Sequence, residues 1–236
     1  MRLAFASALV FLGMIGAQWA QAGQLVVVDS TASALLPGQV LDGSKSLSLN
    51  AGTQVTVISE DGKVMTLTGP YSGVPASGGA GGGSGGGLLA SLSKLVDDQD
   101  GKGSLGVMRA VKAGDAPDPW VIDVLRSGSH CVRAGVAPVL WQPSTKKGAQ
   151  LSLKPLPKGK RMKIDWPAGM DGIDWPEGLA LTDGGRYLVK ISGRMTAAKM
   201  VVHIVPANLP SNAHQVAWMA DKGCTGQARA LLASLR

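Results

Sequence analysis

The stretch Thr53-Gln54-Val55-Thr56-Val57-Ile58-Ser59-Glu60-Asp61-Gly62-Lys63-Val64-Met65-Thr66-Leu67-Thr68 decides the fold class. Val55 and Val57 lie two residues apart about Thr56, so they share one face of a strand. Residues 63–68 follow directly as a second strand. Asp61-Gly62 between them is a hairpin signal, because a type I′ turn needs positive φ at both central positions. Working outward, Leu25-Val26-Val27-Val28 is a continuous apolar, β-branched run, and Leu47 and Leu49 fall on one face of a short strand at 46–49. Asp42-Gly43 marks another turn. Residues 23–76 therefore read as a small β module. About 50 residues make a thin core, so the module is expected to lean on another part of the chain or on a partner.

Ahead of this module, Arg2 precedes an uncharged apolar run over 3–15, and Ala20-Gln21-Ala22 supplies the small-x-small pattern of a cleavage site. The expectation is a signal peptide over 1–22, cleaved near Ala22, and a periplasmic or secreted mature protein. The rival is a membrane anchor, but the run falls short of the roughly 20 residues that span a bilayer. No membrane span is expected after signal removal.

Behind the module, residues 77–87 form a Gly/Ser linker. Residues 88–116 hold a short helix and connector, with Leu88, Leu92, Leu95 and Val96 at helical spacing. From 117 to 236 the pattern returns to β. Strand candidates lie at 120–125, 139–141, 150–153, 161–166, 178–182, 186–192 and 199–205, with Asp183-Gly184 as a hairpin turn. Short strands with regular turn signals predict an antiparallel β-sandwich-like domain. A helical segment closes the chain. Ser211 or Asn212 caps a stripe of Ala213, Val216, Ala217 and Ala220, Gly223 breaks it, and Thr225 caps a second stripe of Ala228, Leu231, Leu232 and Leu235. The fold class is thus mainly β: a small N-terminal β module, a Gly-rich linker, and an antiparallel β-sandwich-like domain with C-terminal helices.

The chain has two cysteines. In an oxidising compartment the pair Cys131 and Cys224 is expected to form a disulfide. The alternative is a metal site drawing on His130, Cys131, His214 and Cys224, but none of the usual ligand spacings occurs. No cofactor or metal is expected. Gly82-Gly83-Ser84-Gly85-Gly86 matches the G-x-S-x-G esterase pattern without the strand that must precede it, and a glycine tract produces such matches by chance. Ser91-Leu92-Ser93-Lys94 matches S-x-x-K without a downstream K-T-G, and reads as a solvated helix face. His130, His203 and His214 are scattered. No catalytic set converges, so the chain is read as non-enzymatic. An unrecognised hydrolase is the alternative, and it requires a deep polar pocket gathering His and carboxylates.

Two features carry binding hypotheses. Ile164-Asp165-Trp166-Pro167-Ala168-Gly169 nearly repeats as Ile173-Asp174-Trp175-Pro176-Glu177-Gly178. The structural interpretation is two edge segments ended by proline, with Trp packed on the sandwich. The functional one is a ligand platform of Trp166 and Trp175 with Asp165 and Asp174, for a sugar or peptide. The two aspartates as a catalytic carboxylate pair are a further option. Separately, Lys146, Lys147, Lys154, Lys158, Lys160, Arg161 and Lys163 fall in one stretch with no acidic residue. That run is either a solvated loop and strand face or a dock for an anionic envelope polymer or an acidic envelope protein, acting through summed field. The formal charge is +7, lowered by one if Arg2 leaves with the leader. Nucleic acid is not an expected partner, since no motif for it is present.

The first module resembles the FecR-type β domain of bacterial envelope proteins. The residues that carry the likeness are Leu36-Pro37-Gly38-Gln39-Val40-Leu41, Leu47-Ser48-Leu49, Val55-Thr56-Val57, Asp61-Gly62-Lys63-Val64 and Leu67-Thr68-Gly69-Pro70. The resemblance implies a periplasmic sensing, scaffolding or ligand-contact role and brings no catalytic residues. The second half is similar to exported bacterial proteins of unassigned function, through Pro119-Trp120-Val121-Ile122-Asp123, Cys131-Val132 and Gly223-Cys224.

Overall fold

The computed structural model describes residues 23–75, 85–100, 116–143 and 146–235. The leader expected at 1–22 and the linker residues 77–84, with Ser84 of the esterase-like pattern, lie outside them. The protein is mainly β. Its strands are β1 (Gln24–Ser30), β2 (Val40–Asp42), β3 (Leu47–Leu49), β4 (Gln54–Ser59), β5 (Val64–Thr68), β6 (Tyr71–Gly73), β7 (Ile122–Asp123), β8 (Gly128–Arg133), β9 (Val139–Trp141), β10 (Ala149–Pro155), β11 (Met162–Trp166), β12 (Gly172–Asp174), β13 (Gly185–Ile191) and β14 (Ala198–Val205). Its helices are α1 (Gly85–Asp100), α2 (Asn212–Asp221) and α3 (Thr225–Ala233).

The N-terminal sheet is antiparallel, in the order β2-β1-β4-β5, with β3 and β6 as a separate ladder. The apolar run in β1 is continuous because both faces are covered. Leu25 and Val27 join Val55, Val57, Leu35 and Leu49 in one core, while Val26, Val28 and Ile58 face a layer of helices. The β4–β5 connection is one residue longer than a type I′ turn. Ile58 and Val64 are the last paired residues. The Gly62 N–H donates to the Ser59 carbonyl at 2.8 Å, and the Ser59 N–H donates to the Lys63 carbonyl at 3.0 Å. Gly62 has φ of 80°, the left-handed position that a three-residue hairpin loop assigns to glycine.

The helix layer joins segments that the sequence organisation assigns to separate units. α1 begins at Gly85, inside the expected linker, and runs to Asp100. Leu88, Leu89, Leu92, Leu95 and Val96 of α1 share one core with Val216 and Met219 of α2 and Leu231 and Leu232 of α3. The C-terminal helices thus close over the N-terminal sheet, and so supply the support that the small module lacks. Ser91 Oγ donates to Asp221 Oδ1 at 2.7 Å, which joins α1 to α2, and Ser93 Oγ donates to the Gly38 carbonyl at 2.6 Å. Ser211 is the N-cap of α2 and accepts from the His214 N–H. The residue capping α3 is Cys224, whose side chain makes no capping hydrogen bond, and Thr225 is already helical.

The second β unit packs the sheet β11-β10-β13-β14-β8 against the sheet β12-β9-β7. Ile122 and Leu140 of the smaller sheet meet Leu151, Leu153, Val189, Met200 and Val202 of the larger one. Two pairings are parallel, β14 with β8 and β7 with β9, where the turn signals predict antiparallel strands throughout. The strand expected at 178–182 does not form. Pro176 and Gly178 hold that segment in a turn, and its carbonyls at Leu179 and Ala180 accept from the Trp175 indole and the Tyr187 hydroxyl.

Cys131 and Cys224 are disulfide-bonded. The bridge joins β8 to the α2–α3 corner, with both sulfurs buried. Neither sulfur is left as a thiolate for the metal alternative. Gln227 of α3 reinforces the same junction. Its Oε1 accepts from the Cys131 N–H at 2.7 Å, and its Nε2 donates to the Cys131 carbonyl at 2.8 Å. One side-chain amide therefore completes the edge of β8 as a neighbouring strand would.

Candidate functional site

The near-repeat is a structural corner used twice. Trp166 ends β11 in one sheet, and Trp175 follows β12 in the other. Each indole N–H donates at 2.9 Å to the carbonyl four residues on, of Met170 and of Leu179. Each copy turns at a glycine of positive φ, Gly169 at 80° and Gly178 at 79°. Trp166 is 1% exposed and Trp175 is 8% exposed, and the Trp175 ring stands edge-on to Tyr187 at 5.1 Å. A ligand platform needs open ring faces. These rings fill the sandwich core, so the structural interpretation stands and the platform does not. Asp165 and Asp174 are exposed on strands of different sheets.

The basic stretch is divided by the hairpin that carries it. Lys146 and Lys147 precede β10, whereas Lys158 and Lys160 lie in the loop beyond its other end. The seven residues of β10 span about 20 Å between the two groups, at about 3.4 Å per residue. Only Lys154, Arg161 and Lys163 meet, on the outer side of β10 and β11.

The sheet adds to them. Leu151, Leu153, Tyr187, Val189, Ile191, Met200 and Val202 point into the core, so period-two alternation turns Ser152, Lys154, Arg186, Leu188, Lys190 and Lys199 outward. Ser152 is the register partner of both Lys163 and Lys190. Lys154 faces Leu188, which in turn faces Lys199. Six cations (Lys154, Arg161, Lys163, Arg186, Lys190 and Lys199) thus converge on one open sheet face. Among the described residues none of the six forms an ion pair. Asp165 closes one end of the face, within 3.4 Å of Gln150 Nε2. At the opposite edge of this sheet the outer side is covered, because Cys131 of β8 and Val205 of β14 belong to the helix core.

Arg186, Lys190 and Lys199 are the functional candidates that the sequence stretch omits. Their signal was a charge at alternate positions of β13 and β14, but joining them to Lys154 requires the strand register. No family model matches the chain, and no curated protein matches it.

The histidines have three different settings. His130 is buried, with Nε2 at 3.1 Å from the Arg126 carbonyl. Burial pushes its imidazole below the usual value, against the hydrogen bond to Arg126 and the charge of Asp123. His203 Nδ1 lies 3.6 Å from Asp183. His214 Nδ1 lies 2.9 Å from Ser211 Oγ. A depression at one end of the sandwich, lined by Val124, Leu125, Val189, Ile191 and Arg194 among others, carries no His or carboxylate among the described residues. In the S-x-x-K match, the Ser91 hydroxyl donates to Asp221.

Proposed function

We propose that the chain is a non-enzymatic binding and scaffold protein of the bacterial cell envelope, and that its contact surface is the open basic face of the five-stranded sheet. The single observation that carries this reading is the convergence of six cations on one face without ion pairs among the described residues. Charges at about 5 Å between strands and about 7 Å along them sum into one positive field. The favoured partner is an anionic envelope component. The disulfide agrees with an oxidising compartment. The leader expected at 1–22 and the FecR-type likeness of residues 36–70 point the same way.

Pull-down from an envelope extract tests it. The wild-type chain is expected to retain an anionic component that added salt releases. A variant with all six cations changed to alanine is expected to retain none. Equal retention by the variant would remove the face from the function.

A further inference from the structure

We infer that the basic face contains a discrete oxyanion subsite, selective for phosphate groups carried on a linear envelope polymer; this rests on the reading of the face just given. A depression in the face is lined by Ser152, Lys154, Arg161, Leu188, Lys190 and Ala197. Ser152 and Lys154 come from β10, and Leu188 and Lys190 from the neighbouring β13. Arg161 enters just before β11, and Ala197 just before β14. Three cations and a hydroxyl therefore surround a floor made by the half-buried Leu188. Among the described residues no carboxylate lines the depression.

That arrangement discriminates among anions. A terminal phosphate carries up to two negative charges. A phosphate within a polymer carries one, as a carboxylate does, but presents its acceptor oxygens tetrahedrally rather than in one plane. The arginine fork binds two of them in plane, and the lysines and the serine hydroxyl supply donors from other directions. Lys163, Arg186 and Lys199 stand on the same face, so charges further along a polymer meet further cations. An acidic protein partner fits less well, because protein interfaces centre on buried aromatic or apolar anchors. Among the described residues, the large exposed apolar side chains, Leu36, Val40, Val74, Val136, Met170 and Met195, all lie off the strands of this face. The same lack of apolar groups disfavours insertion into a membrane.

The test compares polyphosphate with polygalacturonate at equal charge concentration and ionic strength, using the purified chain and isothermal titration. Polyphosphate is expected to bind about tenfold more tightly, the scale of one charge-assisted hydrogen bond. Arg161→Ala and Ser152→Ala should each erode that preference, whereas Arg186→Ala, on the same face outside the depression, should weaken both polymers alike. Equal affinity of the two polymers, or a preference that survives Arg161→Ala, overturns the subsite while leaving the basic face as a general polyanion surface. A preference lost equally in Arg186→Ala overturns it too. If neither polymer binds, the face itself fails, and the subsite with it. Binding confined to phosphatidylglycerol vesicles would assign the face to a membrane and overturn the polymer.

Discussion

The two large sheets differ in what covers them. In the N-terminal sheet, β1 is buried on both sides, between a small core with Val55 and Val57 and a helix layer with Leu92 and Val216. Its sequence is accordingly an unbroken Leu-Val-Val-Val. Among the described residues, the five-stranded sheet is covered on its inner face, and on its outer face only near β8 and β14. Its strands β10, β13 and β14 alternate, and their outward positions include Lys154, Arg186, Lys190 and Lys199. Charge is retained where water remains, because burying an unpaired ammonium is prohibitive. The surface proposed for a partner is the one that the described helices do not reach.

The disulfide is the strongest link between the two regions, and breaking it gives the largest expected effect. It closes a separation of 93 residues. The chain-entropy model gives about 4–5 kcal/mol for a loop of that size. The double variant C131A/C224A should lose stability on that scale in urea unfolding. A loss below about 1 kcal/mol would mean that the helix layer holds to β8 without the bridge.

Gly62 tests the contact between the N-terminal hairpin and α2. A Cβ there would run into Ser211 Oγ and lie 2.8 Å from His214 Nδ1, at a backbone φ of 80°. Gly184, at φ of 70°, has open space around the same added atom. Gly62→Ala should cost about 2–3 kcal/mol and Gly184→Ala about 1 kcal/mol, the second reflecting backbone strain alone. Equal midpoints for the two variants would show that the hairpin tip does not press on the helix.

His130 sharpens the same contrast from the covered side. Its depressed value means that, as pH falls below 6.5, the unfolded chain takes up a proton that the folded chain refuses. Stability contributed by the neutral ring is complete above that pH. It is lost downward through the window to the folded value, at up to about 1.4 kcal/mol per pH unit. The groups acting on the ring are Asp123 and Arg126. His130→Gln should flatten the pH dependence of the urea midpoint below pH 6.5. An unchanged slope would place the titration elsewhere.

Much of this was legible in the residues. Periodicity located most strands, and cysteine number with the expected compartment gave the bridge. The near-repeat was visible, but whether Trp166 and Trp175 faced water depended on sheet packing, which period-two patterns near prolines do not specify. The strand β8 is absent from the expected strands, and the parallel pairing of β7 with β9 escaped because turn signals report only local connections. The union of α1 with α2 and α3 escaped because it joins residues far apart in sequence. Lys154, Arg161 and Lys163 were found by their proximity in the chain. Arg186, Lys190 and Lys199 were not, since register alone brings them alongside.

The basic face is tested most directly by the salt dependence of polyphosphate binding, measured for the wild-type chain and for the variant with all six cations changed to alanine. Release of counterions makes the logarithm of affinity fall linearly with the logarithm of salt, in proportion to the charges neutralised. The wild-type chain should show a steep negative slope, and the variant should show neither measurable affinity nor a lowered thermal midpoint. A variant that binds with the wild-type slope would contradict the assignment of this face as the contact surface.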